Sequence, residues 1–110
     1  MDFAVRIVAL SRALRTERNE YALADQVLRS GTAIGANLAE AAYSPTKKDF
    51  LNKCKIALKE CSETGFWLDL FARTSLFPQS RLVPLRSDCD QLLKMLSSTC
   101  TTIEERIPRK

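Results

Sequence analysis

The sequence predicts an all-α fold, an up-down-up-down antiparallel four-helix bundle, and three observations carry that reading. Four segments repeat apolar residues at helical spacing, and none sustains the alternation of a strand. Glycine and proline number three and four, too few for an all-β chain that turns about every 8–12 residues. The connections between the periodic segments run about three to six residues, which sets neighbouring helices antiparallel. At 110 residues the chain is expected to be one domain, residues 1–110, with one core.

The first helix places Phe3, Ile7, Leu10 and Leu14 on one stripe and ends near Thr16–Asn19, where charged and turn-forming residues take over. The second runs from about Glu20 to Tyr43, with Leu23, Val27, Ile34 and Leu38 as its larger apolar positions. Its middle is small: Ser30, Gly31, Thr32, Ala33, Gly35 and Ala36. The third is expected to be capped by Ser44, with Pro45 at the first helical position. Phe50, Cys54, Ala57, Leu58, Cys61, Leu68 and Ala72 form its stripe, and Leu76-Phe77-Pro78 stops it. The fourth reads Leu82, Leu85, Cys89, Leu92, Leu96, Thr99, Ile103 and Ile107, close to a heptad, with Pro84 expected in its first turn. Helix three, at about 30 residues or 45 Å, should extend past the shorter first helix and leave apolar surface seeking a partner.

Composition narrows the chemistry further. Histidine is absent, which removes Ser-His and Cys-His nucleophilic pairs, His-ligated zinc and the Glu-x-x-His di-iron bundle. The expectation is a binding module with no catalytic activity, no cofactor and no small-molecule substrate. Seventeen Lys+Arg against thirteen Asp+Glu give a net charge of +4, spread along the chain rather than gathered in a tail. Such a surplus fits a nucleic-acid or acidic-protein partner as well as plain solubility. Cys54 and Cys61 lie two turns apart on one stripe, and Cys89 and Cys100 three turns apart, so neither pair can form a disulfide. Without a signal-peptide pattern or an apolar run of membrane-spanning length, the expectation is a cytoplasmic protein with reduced, core-filling thiols.

Two stretches carry a family resemblance. Leu28-Arg29-Ser30-Gly31-Thr32-Ala33-Ile34-Gly35-Ala36-Asn37-Leu38-Ala39-Glu40-Ala41 is similar to an S-I-x-x-N-I-A-E-G signature. Asp49-Phe50-Leu51, with Ile56-Ala57-Leu58-Lys59-Glu60-Cys61-Ser62-Glu63-Thr64-Gly65-Phe66-Trp67-Leu68, is similar to a D-F-x…I-A-x-x-E-x-x-E-x-x-x-W-L pattern. Together they resemble the four-helix-bundle family named for proteins encoded in intervening sequences of 23S rRNA genes. Thr32-Ala33-Ile34 departs from the usual Ser-Ile order, and Ala41 stands where that family usually has Gly. The resemblance implies a bacterial four-helix bundle that assembles into a ring, commonly a homopentamer. One branch of the family, the accessory variability determinant of diversity-generating retroelements, partners a reverse transcriptase and binds nucleic acid.

Two groups of residues are candidate sites. Asn37 and Glu40 share a helical face, and Glu60 and Glu63 repeat that spacing on the next helix. These four are expected to form a structural polar network, with Glu40 buried against Lys59, Arg29 or a hydroxyl, because an unpaired buried carboxylate is costly. A metal site is disfavoured, since without histidine it needs four or more converging carboxylates. Phe66, Trp67, Phe71 and Phe77 are expected in the core or a subunit interface rather than stacked on bases. Lys48, Lys55 and Lys59 fall within about 40° of one line on helix three, with Lys47 and Lys53 flanking and no acid within the stripe. A ring that repeats this single-signed stripe would present a track for RNA or DNA phosphates.

Overall fold

The computed structural model describes residues 1–108. Four helices follow in order: α1 Asp2–Arg18, α2 Tyr21–Ala41, α3 Lys47–Arg73 and α4 Gln79–Arg106. Packing runs in chain order, α1 on α2, α2 on α3 and α3 on α4, as in an up-and-down bundle.

Local chemistry explains the boundaries. Asn19 ends α1 in the left-handed conformation (φ 56°), which asparagine tolerates, and the Glu20 N–H reaches back to the Leu14 carbonyl. The start of α3 differs from the Ser44 expectation. Thr46 is the cap, in extended backbone, and its Oγ1 accepts the Asp49 N–H at 3.0 Å. The Thr46 hydroxyl donates in turn to the Asp49 carboxylate at 2.8 Å. Ser44 lacks such an acid three residues on, where Lys47 stands, so the pairing selects Thr46. α4 also begins earlier than expected, at Gln79. Phe77 and Leu82 flank that start, both buried in the main core, at the positions of a hydrophobic staple around Pro78. Pro84 therefore sits in the second turn rather than the first, where its ring removes one bond to the exposed Ser80.

Ile7, Leu14, Val27, Ile34, Leu68, Phe71 and Leu96 are the large side chains at the centre of the main core. α1 and α2 approach tightly at Gly31, where a Cβ would stand 2.6 Å from Ile7 Cγ2. Nearby, Ser11 donates to the Ala24 carbonyl at 3.0 Å. The expected overhang of α3 is present and is shared by α4. The molecule measures 52 × 21 × 20 Å with a radius of gyration of 15.4 Å, against about 13 Å for a compact domain of this length. At the far end a second cluster joins Leu51, Cys54 and Cys100 with Leu38, Phe50, Leu58, Ile103 and Ile107. No α1 residue takes part in it, so the rod tapers from four helices to three.

Where α1 does run beside α4, the two helices meet lightly. An Arg6–Asp88 ion pair bridges the seam. On one side of the bridge a groove is lined by Phe3, Leu92 and Met95, and on the other by Ala9, Leu10 and Leu85. Met95 is 53% exposed. Among the described residues, no helix is long and apolar enough to cross a membrane.

Candidate functional site

The polar network contains Glu60 and Glu63 as expected, but not Asn37 or Glu40. Glu60, 8% exposed, accepts from Arg29 Nη1 at 2.9 Å. The other nitrogen of the same guanidinium donates to Glu63, which also accepts the Trp67 indole N–H at 3.1 Å. Directly behind them the fully buried Thr64 hydroxyl lies 2.9 Å from Ser30 Oγ and 2.8 Å from the Glu60 carbonyl. Glu60 and Glu63, one turn apart on α3, thus close on a single cation from α2.

Asn37 and Glu40 stay outside it, which corrects the expected burial of Glu40. The Asn37 amide donates to the Ala33 carbonyl of its own helix at 2.8 Å. The Glu40 side chain is 61% exposed and pairs with Lys53 at 2.8 Å. The reason is register. Beyond Gly35, α2 faces the end of the rod that α1 does not reach, and the outward side of that turn stays in water.

The lysine line of α3 is exposed as expected, yet it is not free of acids once the helices pack. Lys55 pairs with Glu104 of α4 at 3.1 Å. An open groove of about 790 Å³ at this end is lined by Lys48, Asn52 and Lys55 on one wall and by Glu104 and Glu105 on the other. Lys48 and Lys59, with the flanking Lys47, have no ion-pair partner among the described residues. The cationic part of the face is therefore Lys47, Lys48 and Lys59, and Lys55 belongs to a cross-helix pair.

The four aromatics divide. Phe71 and Phe77 are core, with the Arg81 guanidinium 4.5 Å over the Phe77 ring. Phe66 is 59% exposed and meets Trp67 edge-on, with centroids 5.1 Å apart. Among the described residues, no group of three or more His, Cys, Asp and Glu side chains is arranged to hold a metal ion.

Sequence reasoning missed two arrangements. Arg29, expected as a partner of Glu40, instead organises the network through Glu60 and Glu63, and the only local sign of that is two carboxylates one turn apart on the facing helix. The thiols also pair across helices rather than along them: Cys61 and Cys89 touch between α3 and α4, and Cys54 and Cys100 share the far cluster.

The comparisons bear on this bundle as a whole. The family model described as 23S rRNA-intervening sequence protein matches residues 1–98. The chain belongs to that family. A solved structure supports the assignment, a protein of unknown function from the S23 ribosomal protein family of Bacteroides thetaiotaomicron VPI-5482. It is 42% identical, with a TM-score of 0.88, over 90% of this chain and 92% of that one. No curated protein matches. The 23S rRNA-intervening sequence family match spans the Arg29–Glu60–Glu63–Trp67 network, the lysine line and the α1–α4 seam. It stops short of Glu104 and Glu105.

Proposed function

We propose that the chain is a non-catalytic scaffold that works as a homo-oligomer, the pentameric ring being what the family resemblance implies. The observation that carries this reading is the seam where α4 outruns α1. Phe3, Leu92 and Met95 line an apolar groove there, and the adjoining quadrant of the rod holds no helix. A second copy is a suitable cover because it offers apolar and small surface, including Gly35 with open space above it. The absence of histidine from the sequence supports the non-catalytic part, since the usual nucleophile–base pairs need it. Light scattering on dilute protein should give a multiple of 12.4 kDa. Met95→Glu, which sets a charge in the groove, should shift the mass toward the monomer while the circular dichroism stays helical. A parent that is monomeric at micromolar concentration overturns the proposal.

Weak binding of nucleic-acid backbone is a second reading, favoured by the unpaired Lys47, Lys48 and Lys59. Each copy has a net charge of +4, so one chain grips phosphates poorly. Several linked copies gain through effective concentration. Binding of this kind reads backbone rather than bases and weakens with salt, with a log–log slope of about −0.9 per phosphate neutralised. Changing Lys48, Lys55 and Lys59 together to Gln should flatten the slope in an electrophoretic shift without altering the oligomer. Lys48 and Lys59 should account for most of the change, because Lys55 already faces Glu104. No shift of duplex, hybrid or single strands at about 50 mM salt would leave the scaffold reading alone.

A further inference from the structure

We propose that Cys61 and Cys89 form an oxidation site, at which a peroxide converts the two thiols to a disulfide that staples α3 to α4. Both residues are buried, at 0% and 2% exposure, and their Sγ atoms lie 3.8 Å apart. Each thiol also reaches the other residue's backbone carbonyl at 3.4 Å. The two helices therefore approach closely at this layer. Bonding needs the sulfurs to close to about 2.05 Å, a side-chain movement of less than 2 Å.

The next layer supplies a reason for reactivity. Gly65 follows Cys61 by one turn, and Arg86 precedes Cys89 by one turn, so the two sit beside the thiol pair on the same seam. Gly65 leaves a notch that the Arg86 guanidinium fills: a Cβ there would stand 2.0 Å from Nη1. Asp69 and Asp90 hold Arg86 from the solvent side at 3.4 and 3.3 Å. The hydrogen bond shared with Cys89 and the Arg86 charge hold the Cys61 thiol below its ordinary range, against burial and Asp90. That same bond and burial push the Cys89 thiol up. Cys61 attacks and Cys89 resolves, or the reverse, since each thiol reaches the other residue's carbonyl at the same distance.

The chemistry balances with hydrogen peroxide as oxidant. With Cys61 first, its thiolate attacks one peroxide oxygen, the O–O bond breaks, and the departing oxygen leaves as water after taking a proton. Cys61 is then a sulfenic acid. The Cys89 sulfur attacks Cys61 Sγ, the S–O bond breaks, and a second water carries away the hydroxyl and the Cys89 proton. Two thiols lose two protons and two electrons, and the hydrogen peroxide becomes two waters.

The test is to treat the folded protein with hydrogen peroxide and measure its intact mass. Loss of two hydrogens, reversed by dithiothreitol, with a Cys61–Cys89 cross-link in the peptide map, is expected. A Cys54→Ala/Cys100→Ala variant should behave the same way, which keeps the test decisive if variants of the pair fold poorly. Cys89→Ala should instead gain oxygen on Cys61. The cross-linked parent should melt about 10 °C higher, since the bond closes a loop between residues 28 apart. Thiols that stay unmodified until the protein is denatured, or a cross-link through Cys54 or Cys100, overturn the proposal.

Discussion

Arg29→Ala lowers the stability of the bundle by about 3 kcal/mol in denaturant melts, because it strands the buried Glu60 carboxylate without a counter-charge. The effect is asymmetric. Glu60→Gln costs about 1 kcal/mol, since the amide oxygen still accepts from Arg29, and Arg29 keeps Glu63 and its access to water. Glu40→Ala, which removes only an exposed pair with Lys53, stays within about 0.5 kcal/mol of the parent. Equal losses for Arg29→Ala and Glu40→Ala would show that the Arg29 cluster is no more than a surface ion pair.

The second large effect lies at the α1–α2 contact. Gly31→Ala destabilises by about 2 kcal/mol, although alanine favours helix over glycine by about 1 kcal/mol. Its methyl would fall 2.6 and 2.9 Å from Ile7 carbons, and Ile7 is fully buried with nowhere to retreat. Gly31→Val, larger still, should keep α1 from docking. Gly35→Ala one turn on meets nothing within 4 Å and stabilises the isolated chain by up to about 1 kcal/mol. Thermal melts of the three variants decide the matter, and a stabilising Gly31→Ala would mean that the helices do not touch there. If copies of the chain assemble as proposed, Gly35→Ala has a second use: a variant that is more stable yet dissociates marks Gly35 as the close approach between copies.

These residues show what the sequence discloses and what it withholds. The four helices were legible because apolar spacing is a local signal: Phe3, Ile7, Leu10 and Leu14 mark a face whatever packs on it. The cap at Thr46 has a local sign too, the acid three residues on, but Ser44 beside its proline carries a competing one. The partners across helices were not legible. Whether Arg29 meets Glu60 or Glu40 finds Lys53 depends on how far one helix slides along the next. That slide is set by steric fits such as Gly31 on Ile7, which leave no periodic trace. The same ignorance of register kept the Cys61–Cys89 contact hidden, because spacing along the chain relates each cysteine only to others on its own helix. Family resemblance was legible over nearly the whole chain and fixed the architecture, but it says little about the lysine face, whose acidic counterparts Glu104 and Glu105 lie beyond the matched residues.

The taper from four helices to three also grades the dynamics of the molecule. Local opening follows the density of buried apolar contacts, and past Leu96 the last turns of α4 pack, among the described residues, chiefly on α3. Their core there is small, Leu51, Cys54 and Cys100 with partly buried neighbours, and the pairs that tie the ends together, Lys55–Glu104 and Lys53–Glu40, are exposed. Fraying therefore starts at this end and stops at the layer where α1 begins, so the backbone amides of α4 divide into a fast-exchanging tip and a protected shaft. The lysine line straddles that division: Lys48 rides on the loosened tip, and Lys59 sits on the rigid part.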